Sequence, residues 1–156
     1  KMLKNLPEGT TQVSVSDIEK NVGISRQFSI FELTKELSYK NSAKALRIAA
    51  YIGSAAKFAI PMATSALYTH FYRILKYGAL LSSNPRPGND QKAKILAVNP
   101  YFFQEYDTAV RNYPMKKAMA VIALLKEYDY KGKGGDVGEA TPSELMVELT
   151  AKILNI

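Results

Sequence analysis

The chain has 156 residues, 47% of them hydrophobic, which is enough for one ordinary domain, or a small core with part of a neighbour, and argues against disorder. It has no cysteine and one histidine, so disulfides, thiolate metal sites and cysteine nucleophiles are excluded and a cytoplasmic setting fits best. The net charge of +7 favours acidic or nucleic-acid partners, but Lys and Arg are spread along the chain without a dense block, the pattern of a solvated basic surface.

The strongest apolar stretches, around Ile48–Ile60 and Ala118–Leu125, are interrupted by Lys57 or bounded by Lys117 and Lys126 and are too short to span a membrane. The chain opens on Lys1 with no apolar signal segment after it, so its start reads as a boundary inside a longer protein. Residues Lys1–Thr11 are polar with Pro7 and Gly9, and the alternation at Val13 and Val15 suggests a short extended lead-in.

Helices are expected from there on. Ser16 and Glu19 form a capping box for a short helix, Asp17–Val22, that Gly23 stops. Ser29 and Glu32 repeat the device, with Phe28 and Leu33 as a hydrophobic staple, for a helix starting at Ile30. Asn41 is expected to cap a third helix, Ser42–Lys57, with Ala45, Ala49 and Ile52 on one face. Pro61 suits the first turn of the longest helix, whose stripe of Leu67, Phe71, Ile74 and Gly78 carries it to Ser82. An exposed loop, Ser82–Asn89, follows, and then a short helix capped by Asp90.

Asn99 and Pro100, cap then first turn, start a helix to Asn112. Pro114 opens another that ends at the glycine-rich run Lys131–Gly135. Thr141, Pro142 and Glu144 combine a capping box with a first-turn proline for the last helix, through Leu145, Leu149 and Ile153. The fold class expected is all-α, with a domain border at Lys57–Pro61.

Nothing in this pattern builds a catalytic site. His70 stands alone, so no histidine pair for a metal and no Ser-His-Asp set can form, and a helix-flank histidine with a solvent or backbone partner is expected. Lys131–Gly135 lacks the spacing and the Lys-Ser or Lys-Thr of a phosphate loop. The carboxylates Glu19, Glu32 and Glu144 serve as caps, and Glu36 and Glu127 sit beside lysines. No catalytic residue, metal site or cofactor is expected, and a small enzyme would need a deep cleft joining Asp107 or Glu127 to His70.

Binding is the better prospect. Gln91–Asn112 has the order of a helix-turn-helix, with Arg111, Lys116 and Lys117 nearby, but its second helix begins with aromatics and acids where base or phosphate contacts belong, which favours bundle packing. The numerous tyrosines serve either as partly buried core or as contacts to another subunit.

Two stretches, Val15–Leu33 (with Val22-Gly23-Ile24-Ser25 and Phe31-Glu32-Leu33) and Val98–Tyr106 (with Asn99-Pro100-Tyr101-Phe102), resemble delta subunits of bacterial DNA polymerase III, particularly the Bacteroides-type sequences. The resemblance extends over nearly the whole chain. It implies that residues 1–57 are the C-terminal part of the helical lid of an AAA+-type domain, and residues 60–156 a helical collar through which clamp-loader subunits associate. The partners implied are the gamma/tau and delta-prime type subunits. The sliding clamp would be reached through an N-terminal domain outside this chain, and DNA would be contacted at most weakly and nonspecifically. The family does not hydrolyse ATP in this subunit, so the implied role is assembly during loading of the clamp on DNA, without catalysis. Tyr101, Phe102, Arg111 and Tyr113 are the expected interface anchors, two aromatics beside a helix start with an adjacent Arg.

Overall fold

The computed structural model describes residues 30–134 and 140–156; the expected helix Asp17–Val22, the lead-in at Val13 and Val15 and the Ser29 cap lie outside them. Every regular element among the described residues is helical, as the spacing predicts. Helix α1 is described over residues 30–38. It is followed by α2 (Ser42–Gly53), α3 (Ile60–Ser83), α4 (Asn89–Leu96), a 3-10 turn (Pro100–Phe102), α5 (Phe103–Asn112), α6 (Met115–Gly132) and α7 (Pro142–Leu154). Among the described residues no helix is long and apolar enough to cross a membrane.

Helix α3 is the spine. It packs along α6 for most of its length and also meets α4, α5 and α7, while α2 lies along α7. A single buried cluster runs through Leu37 of α1, Ile52 of α2, Phe71 of α3, Tyr106 of α5, Leu125 of α6 and Leu149 of α7. Each such side chain contributes about 1.5–3 kcal/mol when fully buried. Residues on both sides of the expected border at Lys57–Pro61 therefore share one core.

Local signals set most helix starts. Thr141 Oγ1 accepts from the Glu144 amide at 3.1 Å, and the Glu144 carboxylate accepts from the Thr141 amide at 2.8 Å. These bonds hold the Glu144 carboxyl below its ordinary range. Pro61 occupies the first turn of α3, where its missing N–H costs nothing.

Four helix ends differ from expectation, each because a tertiary or neighbouring contact overrides the local signal. Asn41 makes no side-chain cap for α2, because its amide donates to Glu36 instead. Asp90 lies in the first turn of α4 rather than at its cap; Gly88 takes the cap position, and its N–H donates to Gln91 Oε1 at 3.3 Å. Helix α2 stops at Gly53, short of Lys57, and α6 runs on into the glycine-rich run as far as Gly132.

Both of those ends are places of close approach. A Cβ on Gly53 would stand 2.6 Å from Ser143 Cα, and one on Gly132 would stand 2.5 Å from Ile60 Cβ. Only glycine lets α2 reach the start of α7, and α6 the start of α3, at these distances. Gly53→Ala and Gly132→Ala should each lower the unfolding free energy by about 1–3 kcal/mol through overpacking. Gly88→Ala, which meets nothing within 4 Å, should stay within about 0.5 kcal/mol of the parent when all three variants are compared by urea titration.

Candidate functional site

The 97–103 corner brings the aromatic residues of the sequence motif to the surface. Ala97 ends α4 in the left-handed region at φ 53°. The chain then turns through Asn99, whose side-chain oxygen accepts from the Tyr101 amide at 2.8 Å. Pro100 and the 3-10 turn fix Tyr101 and Phe102 edge to face, with ring centroids 5.1 Å apart. Tyr101 is 84% exposed and Phe102 44%, whereas Phe103 turns into the core. Two large rings held outward by a capped turn suit interface anchors.

The other two expected anchors do not join them. Arg111 is exposed but sits at the far end of α5, roughly 13 Å away along the helix axis. There it lines a cleft of about 400 Å³ with Arg86, Lys92 and Asp107. Lys92 approaches Asp107 at 4.0 Å, and Asp107 also accepts from the Tyr77 hydroxyl, whose pKa is raised by burial and by that carboxylate.

Tyr113 is corrected outright: it is fully buried, and its hydroxyl donates to the Leu37 carbonyl at 2.8 Å. Asn112 beside it donates to the Ser38 carbonyl at 2.8 Å. Together they satisfy the end of α1, where helix carbonyls lack partners of their own. The signal was present in the spacing, since Phe103, Tyr106, Ala109 and Tyr113 form one helical stripe.

His70 also departs from expectation, because its partners are neither solvent nor backbone. It is buried, with Nε2 2.7 Å from Ser38 Oγ and Nδ1 3.1 Å from the Tyr106 hydroxyl. Ser38 Oγ donates to the Thr34 carbonyl at 2.8 Å. The arrangement that satisfies every group has Nε2–H donating to Ser38 and the Tyr106 hydroxyl donating to Nδ1, which is a neutral imidazole. Burial, and secondarily the charge on Arg73, lower its pKa from 6.5 to about 3. Burial likewise raises the carboxyl of Glu105, which lies 3.5 Å from Ser38 Oγ and 4.0 Å from His70 Nε2.

This cluster has the residue types of a Ser-His-acid relay but not its order. The acid and the serine share one side of the imidazole, whereas a relay needs the acid on the nitrogen opposite the serine. His70 lines neither the cleft beside Arg111 nor the groove between α3 and α6. The cluster instead ties α1, α3 and α5 together. No local sequence signal marks Ser38, Glu105 and Tyr106 as its members, although His70 falls on the apolar stripe of Leu67, Phe71 and Ile74.

Helices α4 and α5 do follow one another as in a helix-turn-helix, and the start of the second presents Tyr101, Phe102 and Gln104. No protein-family model, curated protein or solved structure matches the chain.

The buried imidazole makes stability depend on pH with a definite sign. Between pH 6.5 and about 3 the unfolded chain protonates its histidine and the folded chain does not. The unfolded state then binds more protons, so stability falls as pH falls through that window, by up to about 1.4 kcal/mol per unit. In urea titrations at descending pH, the gap in unfolding free energy between the parent and His70→Gln should narrow. A gap that stays constant would contradict a neutral His70.

Proposed function

We propose that this chain is a non-catalytic assembly module of a bacterial clamp loader, the C-terminal part of a DNA polymerase III delta subunit. In this reading residues 60–156 form the collar that associates with gamma/tau and delta-prime type subunits, and residues 1–57 belong to the lid that precedes it. The work of the module is to hold neighbouring subunits in the complex that loads the sliding clamp on DNA.

One observation carries the reading: the stretch that bears the resemblance, Val98–Tyr106, is also the stretch that exposes Tyr101 and Phe102 on a rigid capped turn. Exposed aromatics ordered before a partner arrives lose little entropy on binding and are the commonest anchors of protein interfaces. The all-helical packing supports it as well, because a collar needs helices with outward faces to share.

The test is co-sedimentation and pull-down of the chain with the motor and delta-prime subunits of a Bacteroides-type loader, with duplex-DNA binding measured beside it at moderate salt. A stable complex and feeble DNA binding are expected. Tyr101→Ala with Phe102→Ala should weaken that complex by tenfold or more, the scale of losing a central anchor, while leaving the unfolding midpoint within a few degrees of the parent. No complex, together with tight sequence-selective DNA binding that Arg111→Ala or Lys117→Ala abolishes, would replace this reading with a helix-turn-helix protein.

A further inference from the structure

Helices α3 and α6 run antiparallel: Thr64 Oγ1 donates to Asp129 Oδ1 at 2.9 Å near one end, and Gly78 faces Met115 near the other. The seam between them opens outward into a groove of about 430 Å³ whose lining includes Ser65, Tyr68, Leu125 and Lys126. On the α3 side Tyr68 and Tyr72 stack, with centroids 5.7 Å apart and planes within 9° of parallel, and both rings are more than two-fifths exposed. On the α6 side Met119 is 57% exposed and Met115 39%. Met115, Met119 and Lys126 follow one another at helical spacing and so lie on one stripe.

The charge on this face has one sign to spare. Lys126 is exposed, and Lys76 lies over the Tyr72 ring at 5.0 Å. Neither comes within ion-pair distance of a carboxylate among the described residues. The carboxylate that does line the groove, Asp129, is already engaged by Lys133 at 2.8 Å and by Thr64.

We propose that the α3–α6 face docks an acidic amphipathic helix of another protein. The apolar side of that helix would rest on Tyr68, Tyr72 and Met119, and its Asp or Glu flanks would meet Lys76 and Lys126. Tyr68 and Tyr72 are one helical turn apart, the spacing of anchors on an incoming helix. Unbranched methionines adapt to its side chains, and lysine stems lie along apolar surface while their amines reach the flanks. A second copy of this chain would set the same lysines against each other. A nucleic acid stacks its bases on open ring faces, and here each tyrosine takes one face of the other while Lys76 lies over Tyr72. The face shares no residue with the Tyr101–Phe102 corner, so it stands or falls independently of the assembly role.

The probes are two designed helical peptides of equal length and identical leucine stripe, one flanked by Glu and the other by Lys. Binding to the whole chain is read by anisotropy at moderate salt and mapped by amide NMR shifts. The Glu peptide should bind at least about tenfold more tightly than the Lys peptide, with shifts centred on Tyr68, Tyr72 and Met119. Lys76→Glu with Lys126→Glu should invert that preference, a gain of binding that a misfolded variant cannot produce. Tyr68→Ala with Tyr72→Ala should weaken both peptides. Equal affinities, failure to invert, shifts mapped elsewhere, self-association through this face, or displacement of the Glu peptide by single-stranded DNA would each overturn the proposal.

Discussion

Two helix ends approach their neighbours so closely that only glycine fits, and these contacts fix how the rest is arranged. Gly53 sets the last residue of α2 against Ser143 in α7, and Gly132 sets the last residue of α6 against Ile60, the first of α3. The end of α2, the start of α3, the end of α6 and the start of α7 are thereby held in two close pairs. With those ends pinned, α3 can run antiparallel to α6 and α2 along α7, and the apolar stripes of all four face inward. The polar hub of Ser38, His70 and Tyr106 then adds α1 and α5 to the spine.

The tyrosines show how the same residue type divides between inside and outside. Tyr77, Tyr106, Tyr113 and Tyr128 are buried, and each hydroxyl has a partner: Asp107, His70, the Leu37 carbonyl and Glu148. A buried hydroxyl left without one would cost about 1–3 kcal/mol, so these positions are specified by polar geometry as well as by size. Tyr68, Tyr72, Tyr101 and Tyr130 are exposed. Their hydroxyls can face solvent, and the rings of Tyr68, Tyr72 and Tyr101 supply outward contact area at the α3–α6 face and the 97–103 corner. The unexpected burial of Tyr113 narrows the aromatic corner to Tyr101 and Phe102.

Much of this was legible in the sequence wherever the determinant is local. The Thr141–Glu144 box, the Asn99–Pro100 start and the first-turn Pro61 act within a few residues, and each appears where the sequence places it. Where the determinant is distant, local reading failed. Nothing near Gly53 in sequence says that Ser143 will press against it, nor near Gly132 that Ile60 will. Asn41 is the local exception: its side-chain amide goes back to Glu36, five residues earlier, across the turn that ends α1. The interior positions of His70 and Tyr113 were readable from helical spacing, but their hydrogen-bond partners, 32 and 76 residues away, were not.

The pairing of α2 with α7 joins segments almost a hundred residues apart in sequence. Contacts of that separation are slow to form, because the long intervening loop must close before any burial repays its entropy. During synthesis at about 5–20 residues per second, Ala45, Ala49 and Ile52 emerge long before the helix that covers them. The nascent chain therefore carries an open apolar stripe for several seconds, and its core closes only when Leu145, Leu149 and Ile153 arrive.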